Sequence, residues 1–304
     1  MSRDELASLL LGIILADITQ SWTRKMPFTP DYHVTEERRA YTLRAGQTGL
    51  LVVHGFMGSP ISSHPMAEYL AARGITVHCP LLPGHGERPD KLYKVPRQAW
   101  IAEAEEGLAN LRQWCDEIFL LGHSMGTVLC AHLALQNPDI RGMVMLAPLY
   151  VVPSKAIHLT AALRYVLPWF TAWQVKKLRP LVIERATDLY PDLNLEDPAV
   201  QAQLPALSRV PTSGIDEMRK MAVLGRRLWP KLTLPLLILQ GGHDTAVKPG
   251  GDQAIYDAVA SQDKRLHQYP QAGHELMRPK DPAHPQVWAE IDAFITQHSR
   301  KRAV

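Results

Sequence analysis

The chain has 304 residues, of which 46% are hydrophobic and 21% charged, with a net charge of +3. That balance suits a soluble globular protein with a sizeable core and is too weakly basic to indicate a nucleic-acid partner. The three cysteines, Cys79, Cys115 and Cys130, are too few for a disulfide framework. They fall in or near expected core elements, which points to a reducing, cytoplasmic compartment.

In chain order, the first feature is an apolar run of 11 residues, Leu6 to Ala16. It is too short to span a bilayer. It has the length of a signal peptide's apolar region, but Asp4 and Glu5 stand where a positive segment belongs. Ser2 and Glu5 fit a capping box, and Leu6, Leu9, Leu10, Ile13 and Ile14 fall at helical spacing. A helix kept in the mature protein is expected, packed on the domain or on a membrane surface. Export through a signal peptide is the alternative.

From about Arg38, short apolar runs alternate with helical patterns. Strands are expected at Leu50–Val53, Ile75–Cys79, Glu117–Leu121 and Gly142–Leu146. Helices are expected over Ser62–Arg73, over Arg97–Trp114, and after Ser124 up to Pro138. Continuous apolar strands separated by helices indicate a mostly parallel sheet covered on both faces. The alternation breaks between Tyr150 and Lys231, an insertion of roughly 80 residues that is too long for a plain loop. It resumes with a strand at Leu234–Gly241, a helix near Asp252–Ala260, a strand at Lys264–Pro270 and a last helix from about Gln286. The expected organisation is therefore an extension over 1–37, an α/β core over 38–149 and 232–304, and a cap or lid over 150–231.

The chemistry concentrates at the ends of these strands. "GHSMG" places Ser124 between Gly122 and Gly126 where a strand passes into a helix. This is the Gly-x-Ser-x-Gly elbow in the strand–turn–helix context it requires, with the hydroxyl raised above the sheet. A serine hydroxyl needs a base. Of the 13 histidines, His274 lies in a glycine-containing loop after the last expected strand. Asp244, in "GGHDTAV", follows the strand before it and is the candidate acid. Asp252 is the competitor, with a helix cap as its expected role. His54, His85 and His243 are expected to order loops. His274 and Glu275 begin a zincin-like pattern, but Arg278 holds the place of the second histidine, so no metal site is expected. In "VVHGFMGSP", after the first strong strand, the Phe56 backbone N–H is a candidate oxyanion donor alongside that of Met125.

"HGFMGSP", "LPGHGERPD", "GHSMG", "GGHDTAV" and "AGHE" together resemble the α/β-hydrolase superfamily, and within it bacterial carboxylesterases and monoacylglycerol lipases. The resemblance runs from about Arg38 to the C-terminus. It implies an α/β-hydrolase fold with helices on both sheet faces and a helical cap between the sixth and seventh core strands. It implies a Ser124–Asp244–His274 triad, an oxyanion hole from Phe56 and Met125, and no cofactor. Two departures are Thr127, where many relatives carry a further glycine, and the preceding residues 1–37. Phe56, Met57, Tyr150, Trp169, Phe170 and Val247 are the candidate substrate-binding residues. The apolar cap sequence favours a small-molecule or lipid ester with an apolar acyl group. Peripheral membrane contact through the cap or the N-terminal helix is a further expectation. Thioesterase, acyltransferase and perhydrolase or haloperoxidase-like chemistry would use the same triad. A non-catalytic ligand receptor on this fold is the reading from another class.

Overall fold

A computed structural model describes residues 34, 36–86, 89–151, 155–189, 193–247 and 249–300. The expected N-terminal helix lies outside the described residues. Strands β1 (Tyr41–Leu43), β2 (Thr48–Val53), β3 (Ile75–Cys79), β4 (Glu117–His123), β5 (Gly142–Leu146), β8 (Leu236–Gly241) and β9 (Lys264–Tyr269) form one sheet. β6 and β7 lie in the insertion described below. The sheet order is β1-β3-β2-β4-β5-β8-β9. All pairings are parallel except that of β1 with β3. β1 was not legible in the sequence, being a three-residue edge strand with polar neighbours.

Alternation along the strands builds two cores. Leu50, Val52, Phe119, Leu121, Val144, Leu146, Leu237 and Leu239 pack on one face. Leu51, Val53, Ile118, Leu120, Met143, Met145, Leu236 and Ile238 pack on the other. Full burial of each such side chain contributes about 1.5–3 kcal/mol. The first face is covered by helices α1 (His64–Ala71) and α10 (His284–His298), whose Met66, Leu70, Ile291 and Phe294 join that core. The second is covered by α2 (Arg97–Arg112), α3 (Gly126–Gln136) and α9 (Gly251–Ala258).

The insertion leaves after β5, the fifth sheet strand in chain order, and returns at β8, the sixth. The count differs from the sixth-to-seventh place implied by the resemblance because only β1 precedes the parallel set among the described residues. It contains α4 (Thr160–Leu163), β6 (Trp169–Thr171), α5 (Arg179–Leu189), α6 (Pro198–Gln201), α7 (Leu204–Leu207), β7 (Arg209–Pro211) and α8 (Thr212–Leu228). The resemblance implies a helical cap, yet Trp169 and Phe170 lie on β6, antiparallel to β7. Pro168 disfavours helix at the preceding residue, and the aromatic pair after it suits a pleated strand.

The long helix α8 roots the insertion on the core. Gly225 lies against Val128 of α3, and the Lys94 backbone N–H donates to Ser213 Oγ at 3.0 Å. Adjacent Asp216 and Glu217 are both buried. Asp216 pairs with Arg164 (3.0 Å), Arg219 (2.9 Å) and Lys220 (3.0 Å), and Glu217 with Lys220 (2.6 Å) and Arg97 (2.9 Å). Arg97 opens the core helix α2 and Arg164 follows α4, so this cluster joins the insertion to the core.

Candidate active site

In a parallel sheet, ligands bind beyond the carboxyl ends of the strands. The residues singled out from the sequence gather there. Ser124 directly follows β4 and has φ 52°, a left-handed conformation that a serine adopts only under constraint. Its neighbours impose it. The Ser124 N–H donates to Leu146 O at 2.9 Å, and its carbonyl accepts from the Leu149 N–H at 3.3 Å. A Cβ on Gly126 would lie 2.0 Å from Val53 O, and one on Gly122 would lie 2.5 Å from Thr127 N, so only glycine admits this close approach. Thr127 is fully buried, and its hydroxyl donates to Ser124 O at 2.6 Å, further fixing the turn.

His274 and Asp244 come from the loops after β9 and β8. These loops are stitched together: the Gly242 N–H donates to Tyr269 O (2.8 Å) and the His243 N–H to Ala272 O (2.9 Å). His274 Nδ1–H donates to Asp244 Oδ2 at 2.8 Å, with both groups buried. That bond sets the tautomer and leaves Nε2 as the acceptor. Asp244 Oδ1 accepts from the Ala246 and Val247 N–H groups (2.8 and 3.2 Å). Burial pushes the Asp244 carboxyl up, but hydrogen bonds from His274, Gln240 and Ala246 and the His274 charge outweigh it, and the net shift is downward.

Ser124 Oγ makes no hydrogen bond with His274. The two are linked through His123, beside Ser124 in the chain, whose Nε2–H donates to the His274 carbonyl at 3.0 Å. The two rings lie 4.8 Å apart. Hydrogen bonds of a resting site are often long and tighten on substrate binding. His123 lies inside the elbow motif and carries no separate signal in the sequence.

Phe56 sits in the loop after β2, its ring edge-on to Trp100 and His85 at 6.1 and 6.0 Å. Met57 beside it has φ 60°. Neither the Phe56 nor the Met125 backbone N–H is spent on a bond to another described residue. His54 orders the loops as expected: its Nδ1–H donates to Gly55 O (3.0 Å) and its Nε2 accepts from the Leu82 N–H (3.1 Å). His85 likewise donates to Pro83 O at 3.1 Å.

Asp252 does not cap its helix. Gly250, at φ 78°, occupies that position, and Asp252 is buried in the first turn, where it accepts from Gln268 of β9. His123, His274 and Glu275 hold ligand-type atoms within 4.8 Å of one another. Each is committed elsewhere: His123 to the His274 carbonyl, His274 to Asp244, and Glu275 to Arg278 Nε at 3.0 Å.

The candidate substrate-binding residues are more dispersed. Tyr150 packs on Gly251, and its carbonyl accepts from Arg226 at 3.0 Å. Val247 is buried, and its backbone N–H donates to Asp244 Oδ1. Trp169 stacks on Tyr93 at 5.2 Å under the Arg209 guanidinium, so it ties β6 to the core loop over residues 89–95. Phe170 is half-buried beside it.

Known proteins resemble this chain over most of its length. The chain is 28% identical to a thermostable monoacylglycerol lipase of Bacillus sp. (strain H-257) over 235 residues, covering 77% of this chain and 86% of that one. It is 24% identical to a carboxylesterase of Bacillus subtilis (strain 168) over 258 residues, 84% of this chain and 96% of that one. Among solved structures, Paleococcus ferrophilus monoacylglycerol lipase superposes with a TM-score of 0.67 at 20% identity, covering 86% and 98% of the two chains. That likeness is to the fold, an α/β hydrolase. Residues 47–281 match the Hydrolase_4 family, described as serine aminopeptidase, S33, and the chain belongs to that family.

Proposed function

We propose that this protein hydrolyses carboxylic esters with apolar acyl groups through a covalent acyl-enzyme. Ser124 Oγ attacks the ester carbonyl while His274 Nε2 takes its proton. The oxyanion that forms is held by the Phe56 and Met125 N–H groups. His274 passes the proton to the leaving alcohol, and water, activated by the same imidazole, releases the acid. Asp244 orients the imidazole and stabilises its charged form. No cofactor takes part.

The observation that carries this reading is the buried 2.8 Å bond from His274 to Asp244, beside a serine held at φ 52° on the same sheet edge. Esters are favoured over the thioester and acyl-transfer alternatives by the lipase and carboxylesterase relatives, which span most of this chain.

In this reading 38–149 and 232–304 form the catalytic core and 150–231 the cap, with α8 as its root. Met57, Tyr150, Trp169, Phe170, Val247 and the Phe56 ring bound the acyl site. Tyr165 and Val166, 81% and 78% exposed between α4 and β6, suit contact with a lipid surface from which a monoacylglycerol is drawn. No described helix is long and apolar enough to cross a membrane. A cytoplasmic enzyme working at the membrane surface fits these features and the free cysteines.

The test is turnover of p-nitrophenyl esters from acetate to palmitate, of monoacylglycerols, and of aminoacyl p-nitroanilides, in wild type and Ser124→Ala. Ester hydrolysis lost in Ser124→Ala, with fluorophosphonate labelling of Ser124, is expected. Labelling of another serine, or anilide turnover exceeding ester turnover, would overturn the reading.

A further inference from the structure

Strand β8 reads Leu-Leu-Ile-Leu-Gln-Gly, an apolar run broken at Gln240. Strand alternation puts Gln240 on the face of Leu236 and Ile238, where an aliphatic side chain would continue the core. The residue is only 7% exposed. A buried amide in that place needs a reason.

Its contacts supply one. Gln240 Nε2 donates to Asp244 Oδ2 at 2.9 Å and to Gly241 O at 3.1 Å. Both partners are pure acceptors, so the amide has one permissible orientation: turned over, Oε1 would face two oxygens. That orientation leaves Oε1 buried with no hydrogen-bond partner among the described residues. The amide therefore satisfies Asp244 at the expense of its own carbonyl.

The effect on Asp244 is specific. Oδ1 is held by two backbone N–H groups, from Ala246 and Val247. Oδ2 is shared by Gln240 and His274. With two donors on each oxygen, the carboxylate cannot turn about its last torsion without breaking bonds. The lone pair of Oδ2 that remains is the one facing His274 Nδ1.

We propose that Gln240 is a positioning residue of the hydrolytic site, which locks the plane of the Asp244 carboxylate and so aims it at His274. The proposal rests on the reading of Ser124, His274 and Asp244 as the triad. The amide touches no substrate and acts only through Asp244.

The experiment compares wild type, Gln240→Met, Gln240→Leu and Asp244→Asn on one soluble ester across pH. Methionine nearly matches glutamine in length but donates no hydrogen bond. The expected result for Gln240→Met is a fall of about tenfold in kcat, the scale of one hydrogen bond to a charged group, with KM within about twofold. The acid limb of kcat/KM moves, because Asp244 loses the donor that fixes it against His274. The downfield proton resonance of His274 Nδ1–H shifts in Gln240→Met and disappears in Asp244→Asn. A packing role alone would lower the melting temperature and leave the pH profile and the resonance in place, and that result overturns the proposal. Failure of both Gln240 variants to fold would make the amide purely structural and also overturns it. Full activity in Asp244→Asn would instead remove the triad reading beneath it.

Discussion

Replacing Gly126 by alanine tests how the elbow and the oxyanion loop are coupled. A Cβ at this position would lie 2.0 Å from Val53 O, 2.7 Å from Val53 C and 2.9 Å from His54 O. All three are backbone atoms where β2 ends, so no side chain can swing aside. Real Cβ contacts essentially never fall under 3.0 Å, so the start of α3 and the end of β2 must separate by about 1 Å. Both are held by the parallel ladder that pairs Val53 with Gly122. Overpacking of this kind costs about 1–3 kcal/mol, and a rigid backbone clash belongs at the upper end. At about 3 kcal/mol the melting temperature falls by roughly 6–12 °C for a domain of this size. The loss of turnover is the sharper sign. Phe56 is carried by the loop after β2 and Met125 by the elbow, so the two proposed oxyanion donors move apart. A misplacement of about 1 Å costs roughly a hundredfold in rate. The assay is kcat on p-nitrophenyl butyrate beside a thermal melt, with Gly74→Ala as control. At Gly74 a Cβ meets nothing within 4 Å but φ is +85°, so alanine there costs about 1–2 kcal/mol of strain and leaves turnover alone. Wild-type kcat in Gly126→Ala would refute the claim that these two segments share one oxyanion site.

Asp244→Asn is expected to fold and to lose about ten-thousandfold in kcat, the scale seen when a triad acid becomes an amide in a serine protease. Asp252→Asn is expected to keep turnover and lose about 1 kcal/mol as its bond from Gln268 weakens; a reversal of the two results in parallel assays would reassign the acid. Burial pushes the Asp216 and Glu217 carboxyls up, but the surrounding Lys220, Arg219, Arg164 and Arg97 hold both below their ordinary values. Their contribution to stability is therefore present at neutral pH and is lost as pH falls below about 4.5. Thermal melts of wild type and Asp216→Asn should differ at pH 7 and converge in acid, and a constant gap would contradict this. Burial pushes the Cys79 thiol up to about 12 and that of Cys130 upward as well, so at pH 8 Ellman's reagent should label neither until the protein is unfolded; prompt labelling of the native protein would count against these buried positions.

The sequence by itself determined the frame of the proposed triad. Five apolar strands with turn signals after them, and a glycine-flanked serine where one strand meets a helix, depend on local pattern alone. A parallel sheet then gathers all strand ends at one edge, so the chain order Ser124, Asp244, His274 already implied proximity. Local pattern misread Trp169 and Phe170, because their composition suits either state and the pairing of β6 with β7 joins segments about forty residues apart. The helix cap assigned to Asp252 failed for a similar reason: its partner, Gln268, lies on a neighbouring strand. Only the tertiary structure decided that His123 bridges to the His274 loop, that Gln240 braces Asp244, and that two buried acids on α8 join the insertion to the core. The first and third are side-chain contacts across long stretches of chain, and the second, between residues four apart, forms only because the turn after β8 folds back on the strand. Each depends on the register of β8, β9 and α8 against the core, which packing over the whole molecule sets and no window of sequence contains.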